Sequence, residues 1–294
     1  MTSVLGLALA LLAVSWSAIL IRLCVAPALG IAFFRLLFAT AGTLPLALRP
    51  REAESRSWRA LVAPPVLAAG LLLAIHFAAW IRSLELTSVA SSVLLVNLHP
   101  LLSGYIGHRW LGDPIGGRTV AALVLALAGA SAVAAGDWGG GGGQLSGDLL
   151  AVVGSVAVAG YLLIGRTMRG RMALGTYLTG VYAVTTVLLG AACLALEVPL
   201  GGYPPATYAT IVVLAAGPHL LGHNLLNWAV RRIPAYLVQA TVLGEPVLAT
   251  LYAAWLFGER PGPGWYAGAL CVAVGVGWAA REEWKRLRSS RASS

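Results

Sequence analysis

Long apolar runs, each closed by a charged residue or a Gly/Pro-rich break, recur along the whole chain. They predict helices over 4–21, 28–48, 60–81, 88–107 and 118–135, and then over 148–165, 172–196, 204–229, 235–257 and 264–280. Most of these runs are close to the ~20 residues that a helix needs to cross hydrocarbon. Backbone in lipid must satisfy its own hydrogen bonds, so runs of this length are read as helices and the expected fold class is an all-α integral membrane protein.

The runs form two sets of five. Residues 76–134 lie over 222–280 without a gap, pairing His99-Pro100 with Glu245-Pro246 and Gly112-Asp113 with Gly258-Glu259. A second overlay, displaced by one residue, sets Ala28-Leu29-Gly30 on Ala173-Leu174-Gly175 and Trp16 on Tyr161. Strict identities are few; the shared order is a polar residue plus proline inside an apolar run, then glycine plus acid at its end. An odd number of spans per copy turns the second copy over in the membrane. The expectation is therefore ten transmembrane helices in two inverted five-helix repeats around a central cavity, with substrate between the repeats. The division is 1–137 for the first repeat, 138–147 for a Gly-rich linker, 148–281 for the second, inverted repeat and 282–294 for a basic cytoplasmic tail.

Composition removes the soluble alternative. Of 294 residues 59% are hydrophobic and only 11% charged, with a mean hydropathy of +0.81, whereas soluble domains carry about 25% charged residues. The net charge of +9 is read as topology. Arg49, Arg51, Arg109, Arg118, Arg166, Arg231 and the tail lie in one set of alternate segments, against only Arg22, Arg82 and Arg260 in the other. Positive charge stays on the cytoplasmic side, which places both termini there and the glycine run 139–143 outside. Scattered basic residues exclude a nucleic-acid partner; the tail, with Trp284, is expected at anionic headgroups. The N-terminus lacks a basic n-region, so the first run is read as a retained span. The glycine run lacks the lysine and Ser/Thr of a phosphate loop. Cys24, Cys193 and Cys271 are too few and too separated for a disulfide framework or a zinc site.

Polar side chains inside spans are costly in lipid and mark the candidate chemistry. His76 and Trp80 stand four apart on one face of the third span. Trp16 and Tyr161, paired by the overlay, fall on opposite sides of the midplane. In the eighth span His219, His223 and Asn227 form a polar stripe flanked by Asn224 and Trp228, and Gly217-Pro218 is expected to break the helix just before it. For these polar residues, interhelical hydrogen bonding and substrate contact stay open as alternatives. The histidine pair has ligand spacing but no His-Glu-x-x-His context and no third ligand, so no metal and no cofactor is expected. Glu245 either holds the kink at Pro246 or carries a proton, as a candidate coupling group. Arg35, in the outer third of the second span, is expected to snorkel outward. Small residues, among them Ser88, Ser91, Ser92, Gly268, Gly275 and Gly277, mark helix contacts.

Gly244-Glu245-Pro246 through Gly258-Glu259-Arg260-Pro261 resembles the terminal signature of EamA-type carriers of the drug/metabolite transporter superfamily, and the first half holds a degenerate partner. The likeness covers essentially the whole chain. His76 together with Trp16 is similar to YddG-type exporters of aromatic and other neutral amino acids, although His99 stands where such carriers have an acid. The resemblance implies a carrier, not an enzyme, in a bacterial-type inner membrane, exporting amino acids or related small metabolites by alternating access. The rivals are export of other metabolites or drugs, or a membrane protein that does not transport. Trp16, His76, Trp80, Tyr161, His219, His223, Asn224, Asn227 and Trp228 are the candidate substrate-binding residues, and Pro100, Gly217, Pro218 and Pro246 the hinges. The expected partners are a small-molecule substrate and the bilayer, for a monomer or weak dimer.

Overall fold

The computed structural model describes residues 3–48, 58–87, 92, 95–112, 115–135, 145–168, 170–233, 235–257 and 263–292. Several positions read above, including Asp113, Ser88, Ser91, Arg49, Arg51, the glycine run 139–143 and 258–261, lie outside them.

Four of the long helices start from a single extended residue, Pro27, Ala63, Ala173 or Pro204, each with ψ between 143° and 146°. The first half consists of α1 (Ser3–Val14), α2 (Ser17–Arg22), α3 (Ala28–Ala47), α4 (Trp58–Leu61), α5 (Pro64–Leu86), α6 (His99–Leu111) and α7 (Gly117–Ala135). In the second half α8 (Leu145–Thr167) and α9 (Leu174–Ala195) are followed by α10 (Pro205–Leu214), which runs through a π-helix (Ala215–His223) into α11 (Asn224–Val230). Then come α12 (Ala235–Val242), α13 (Glu245–Phe257) and α14 (Pro263–Ala292). Every regular element among the described residues is helical. Seven helical stretches are long and apolar enough to cross a membrane, and Gly117–Ala132 is a shorter apolar one.

Two sequence expectations shift at their ends. The third span does not stop at 81: α5 continues to Leu86, because Glu85 in its last turn accepts the Ala28 N–H at 2.9 Å and so holds the start of α3. The tenth run likewise does not stop at 280, since α14 carries on through the basic tail to Ala292. Gly112, with φ +67°, closes α6 in the left-handed conformation expected of a glycine at that position.

Lipid is as apolar as leucine, so helix association depends on close packing rather than on hydrophobic burial alone. α5 lies along α8, α3 against α9, α9 against α5, and α7 against α14. The α7–α14 crossing brings backbone to backbone: a Cβ on Gly129 would stand 2.6 Å from the Gly268 carbonyl, and one on Gly275 2.6 Å from that of Ala122. Gly277 has nothing within 4 Å and is not a packing glycine. Outside the bundle, Thr87 donates to Asp148 at 2.8 Å, joining the end of α5 to the start of α8. The largest core cluster, with Leu36, Phe77, Tyr161, Tyr177 and Tyr182, fills the space between α3, α5, α8 and α9. Among the described residues all three cysteines are free.

Candidate functional site

Three helical spans are interrupted around one cavity and a fourth is deformed without a break, each for a local reason. Between α1 and α2 the Ser15 hydroxyl bonds back to the Leu11 carbonyl at 2.7 Å and the chain turns at Trp16. Before α6 and before α13 the chain turns at Asn97-Leu98 and Leu243-Gly244. A new helix then begins at His99 or Glu245, which places Pro100 and Pro246 in first turns, where their missing N–H costs nothing. The eighth span corrects the expected break at Gly217-Pro218. The helix stays continuous there by widening to a π-helix, whose longer hydrogen-bonded ring accommodates a residue with no N–H to donate.

These interruptions surround a cavity of about 50 Å³. Val14, Ser17, Asn97, His99, His223 and Glu245 reach it from the helix ends, and His76, Trp80 and Gln239 from regular helix. His76 and Trp80 are stacked, with ring centroids 5.9 Å apart and planes inclined by 11°. The Gly154 carbonyl stands 2.9 Å from His76 Nδ1; a carbonyl only accepts, so Nδ1 holds a proton and Nε2 is the ring's remaining nitrogen. His99 Nδ1 is fixed in the same way on the Val96 carbonyl at 3.0 Å. Ser103 donates to Gln239 Oε1 at 2.6 Å. Two donors in this wall, Trp80 Nε1 and Gln239 Nε2, are buried without a hydrogen-bond partner.

Behind the wall lies a second polar layer. Asn227 Nδ2 donates to Tyr161 Oη at 2.6 Å and to the His223 carbonyl at 2.8 Å, while Tyr182 donates to Asn224 Oδ1 at 2.7 Å. Arg35 corrects the expected snorkelling: it is 0% exposed, enclosed by packed helices on every side. Its Nε donates to His219 Nδ1 at 3.3 Å, and the guanidinium carbon sits 4.5 Å over the Phe77 ring. An imidazole nitrogen that accepts from a guanidinium carries no proton, which makes His219 neutral here. His219 and His223 have ring centroids 5.1 Å apart, so this layer touches the cavity through His223.

Of the nine side chains expected at the substrate, His76, Trp80 and His223 line the cavity. Tyr161, His219, Asn224 and Asn227 make up the layer behind. Trp16 is stacked on Tyr252 at 4.4 Å and ties the α1–α2 break to α13. Trp228 lies beneath the Arg232 guanidinium at 4.1 Å, close to the end of α11. Of the hinge and coupling candidates, Glu245 alone reaches the cavity. Ser17, Asn97 and Gln239 were missed. Each is a polar residue inside an apolar run, which is a visible signal, but neither its neighbours nor its spacing distinguishes it from a residue bonded to its own helix. Among the described residues no group of three or more His, Cys, Asp or Glu is placed to hold a metal.

Comparison with known proteins gives a family and a fold. Residues 1–135 and 145–281 each match a family described as "EamA-like transporter family". No curated protein matches the chain. A solved structure titled "Crystal structure of protein" superposes with a TM-score of 0.81 over 97% of this chain and 98% of that one, at 22% identity.

Proposed function

The chain belongs to the EamA-like transporter family, and both matched segments contribute to the cavity wall; from that premise we propose that it exports aromatic or other neutral amino acids, in the manner of YddG-type carriers, by alternating access. The observation that carries the reading is the His76–Trp80 stack facing His223 across a cavity ringed by interrupted helices. An aromatic face suits an apolar side chain, and imidazole nitrogens suit the polar end of an amino acid. Tyr161, His219, Asn224 and Asn227 form the supporting layer that repacks as the passage opens, while Trp16 and Trp228 join the passage only in other states.

Ten spans in two inverted repeats are part of the same reading, and the packing supports it. Exchanging each helix of the first half with its counterpart in the second maps the α5–α8 contact onto that of the π-helix with α1, and maps α3–α9 and α7–α14 onto themselves. Gly129 and Gly275 correspond under the overlay, as do Ala122 and Gly268, and each glycine abuts the carbonyl of the opposite pair. The same reading has both termini on the cytoplasmic side, as the arginine distribution predicts, in a bacterial-type inner membrane, as the family resemblance implies.

At about 50 Å³ the cavity holds water but no amino acid, since ligand pockets run to roughly 300–1,000 Å³. Loading therefore requires helix movement, and the interruptions at residues 15–16, 97–98 and 243–244 are where backbone can bend. The test is efflux of labelled phenylalanine from proteoliposomes. Saturable flux that falls in His76→Ala is expected; no substrate-dependent flux from the wild type, with His76→Ala identical to it, would overturn the assignment. Flux of other metabolites with none of amino acids would shift the reading to another substrate of the same superfamily.

A further inference from the structure

The mostly neutral histidine and asparagine cluster around the cavity holds one permanent cation, and its hydrogen bonds leave one edge of that cation open. Arg35 commits Nε to His219. Its Nη1 has no hydrogen-bond partner, and its Nη2 reaches only the Ser17 hydroxyl, at 3.5 Å. That last distance is at the outer limit of a hydrogen bond. The two terminal nitrogens thus form an open fork, and a fork of this shape matches the two oxygens of a carboxylate. Ser17 itself lines the cavity, so a ligand group that displaced its hydroxyl would meet the guanidinium directly.

Glu245 supplies the complementary group. Its side chain is 9% exposed and faces the same cavity. No ion pair joins Arg35 and Glu245 among the described residues. A guanidinium with an unpaired edge and a carboxyl group that does not pair with it leave room for a molecule that offers a complementary group to each.

We propose that Arg35 and Glu245 are the two poles of a zwitterion site, with the substrate carboxylate seated on the Nη1–Nη2 fork of Arg35 and its ammonium group on Glu245. This rests on the amino-acid reading above and narrows it to substrates that carry a free carboxylate and a free amine together. A substrate bridging the poles also draws the first, second and ninth spans together, because Ser17, Arg35 and Glu245 stand on α2, α3 and α13.

The test compares three ligands of one shape, L-phenylalanine, phenethylamine and 3-phenylpropionate, by calorimetric titration of the purified full-length carrier. Wild type should bind phenylalanine about tenfold or more tightly than either single-charge analogue. In Arg35→Gln the preference over phenethylamine should disappear while that over phenylpropionate stays. In Glu245→Gln the pattern should reverse. A preference over phenethylamine that survives Arg35→Gln, or one over phenylpropionate that survives Glu245→Gln, overturns the pole assignment and leaves the transport reading standing. Should Arg35→Gln fail to fold, Glu245→Gln decides alone. Absence of both binding and flux of amino acids in the wild type overturns the two readings together.

Discussion

α5 and α8 form one packed pair, and the π-helix and α1 form its counterpart under the sequence overlay. The first pair is regular throughout. α5 and α8 run 23 residues each without interruption, and Gly154 lets the Trp80 side of α5 approach at ordinary van der Waals distance. In the second pair both members are disturbed: α1 turns at Ser15-Trp16, and its partner widens to a π-helix around Pro218. Both pairs also have tight glycine contacts: a Cβ on Gly222 would stand 2.6 Å from Val14 Cγ1, and one on Gly160 2.9 Å from Leu72 Cδ1. One scaffold position is thus filled once by a rigid wall carrying His76 and Trp80, and once by a deformable one carrying His223 and Ser17. Similar packing topologies can differ in backbone compliance when a single proline or back-bonding serine differs between them.

The strongest way to break this contrast is Pro218→Ala, which returns the missing N–H to the eighth span. The π-helix should revert to α, turning His219, His223 and Asn227 away from their present partners. Proteoliposome flux should fall about tenfold or more, the scale of a 1.4 kcal/mol change, while thermal stability holds or rises by as much as about 3 kcal/mol. Unchanged flux would mean that the irregular wall is incidental.

A paired substitution sharpens the comparison. Gly222→Ala should destabilise by about 1–3 kcal/mol through overpacking against Val14, whereas Gly154→Ala, with nearest atoms at 3.4 and 3.5 Å, should be neutral or gain up to about 1 kcal/mol in helix propensity. Denaturant titration in detergent measures both, and equal losses would erase the distinction between the walls. Asn227→Leu removes the donor to Tyr161 that links the eighth span to the sixth; the expected cost is about 1 kcal/mol, the scale of a hydrogen bond between membrane helices. A loss several times larger would show that this bond, not the helix packing, joins the two pairs.

The smallest effect is expected from Trp80→Phe, on the rigid wall. It keeps a ring for His76 to stack on and removes an indole N–H that is buried without a partner. Stability should change by less than about 1 kcal/mol, because no made hydrogen bond is lost. A large drop, read by the same titration, would reveal a partner for that N–H in the working protein.

Helix positions, and the pairing of His99-Pro100 with Glu245-Pro246, were legible because apolar length and proline placement act locally, along one stretch of chain. His76, Trp80 and His223 were legible for the same reason, as polar or aromatic residues standing out of apolar runs. Arg35 was misread: a long cationic side chain in an outer third ordinarily reaches for water, and only the packing of α3 against α9 and the π-helix closes that route. The eighth span was misread more gently, since proline dictates that an N–H is missing but not whether the helix breaks or widens.

Sequence alone determined that this chain lives in a bilayer as helices, because hydrocarbon thickness and backbone hydrogen bonding leave no other choice. Tertiary structure alone decided which polar side chains share a cavity, which stand behind it, and that one arginine is sealed inside. Those outcomes depend on how helices far apart in sequence rotate and approach one another, and no single stretch of chain encodes that.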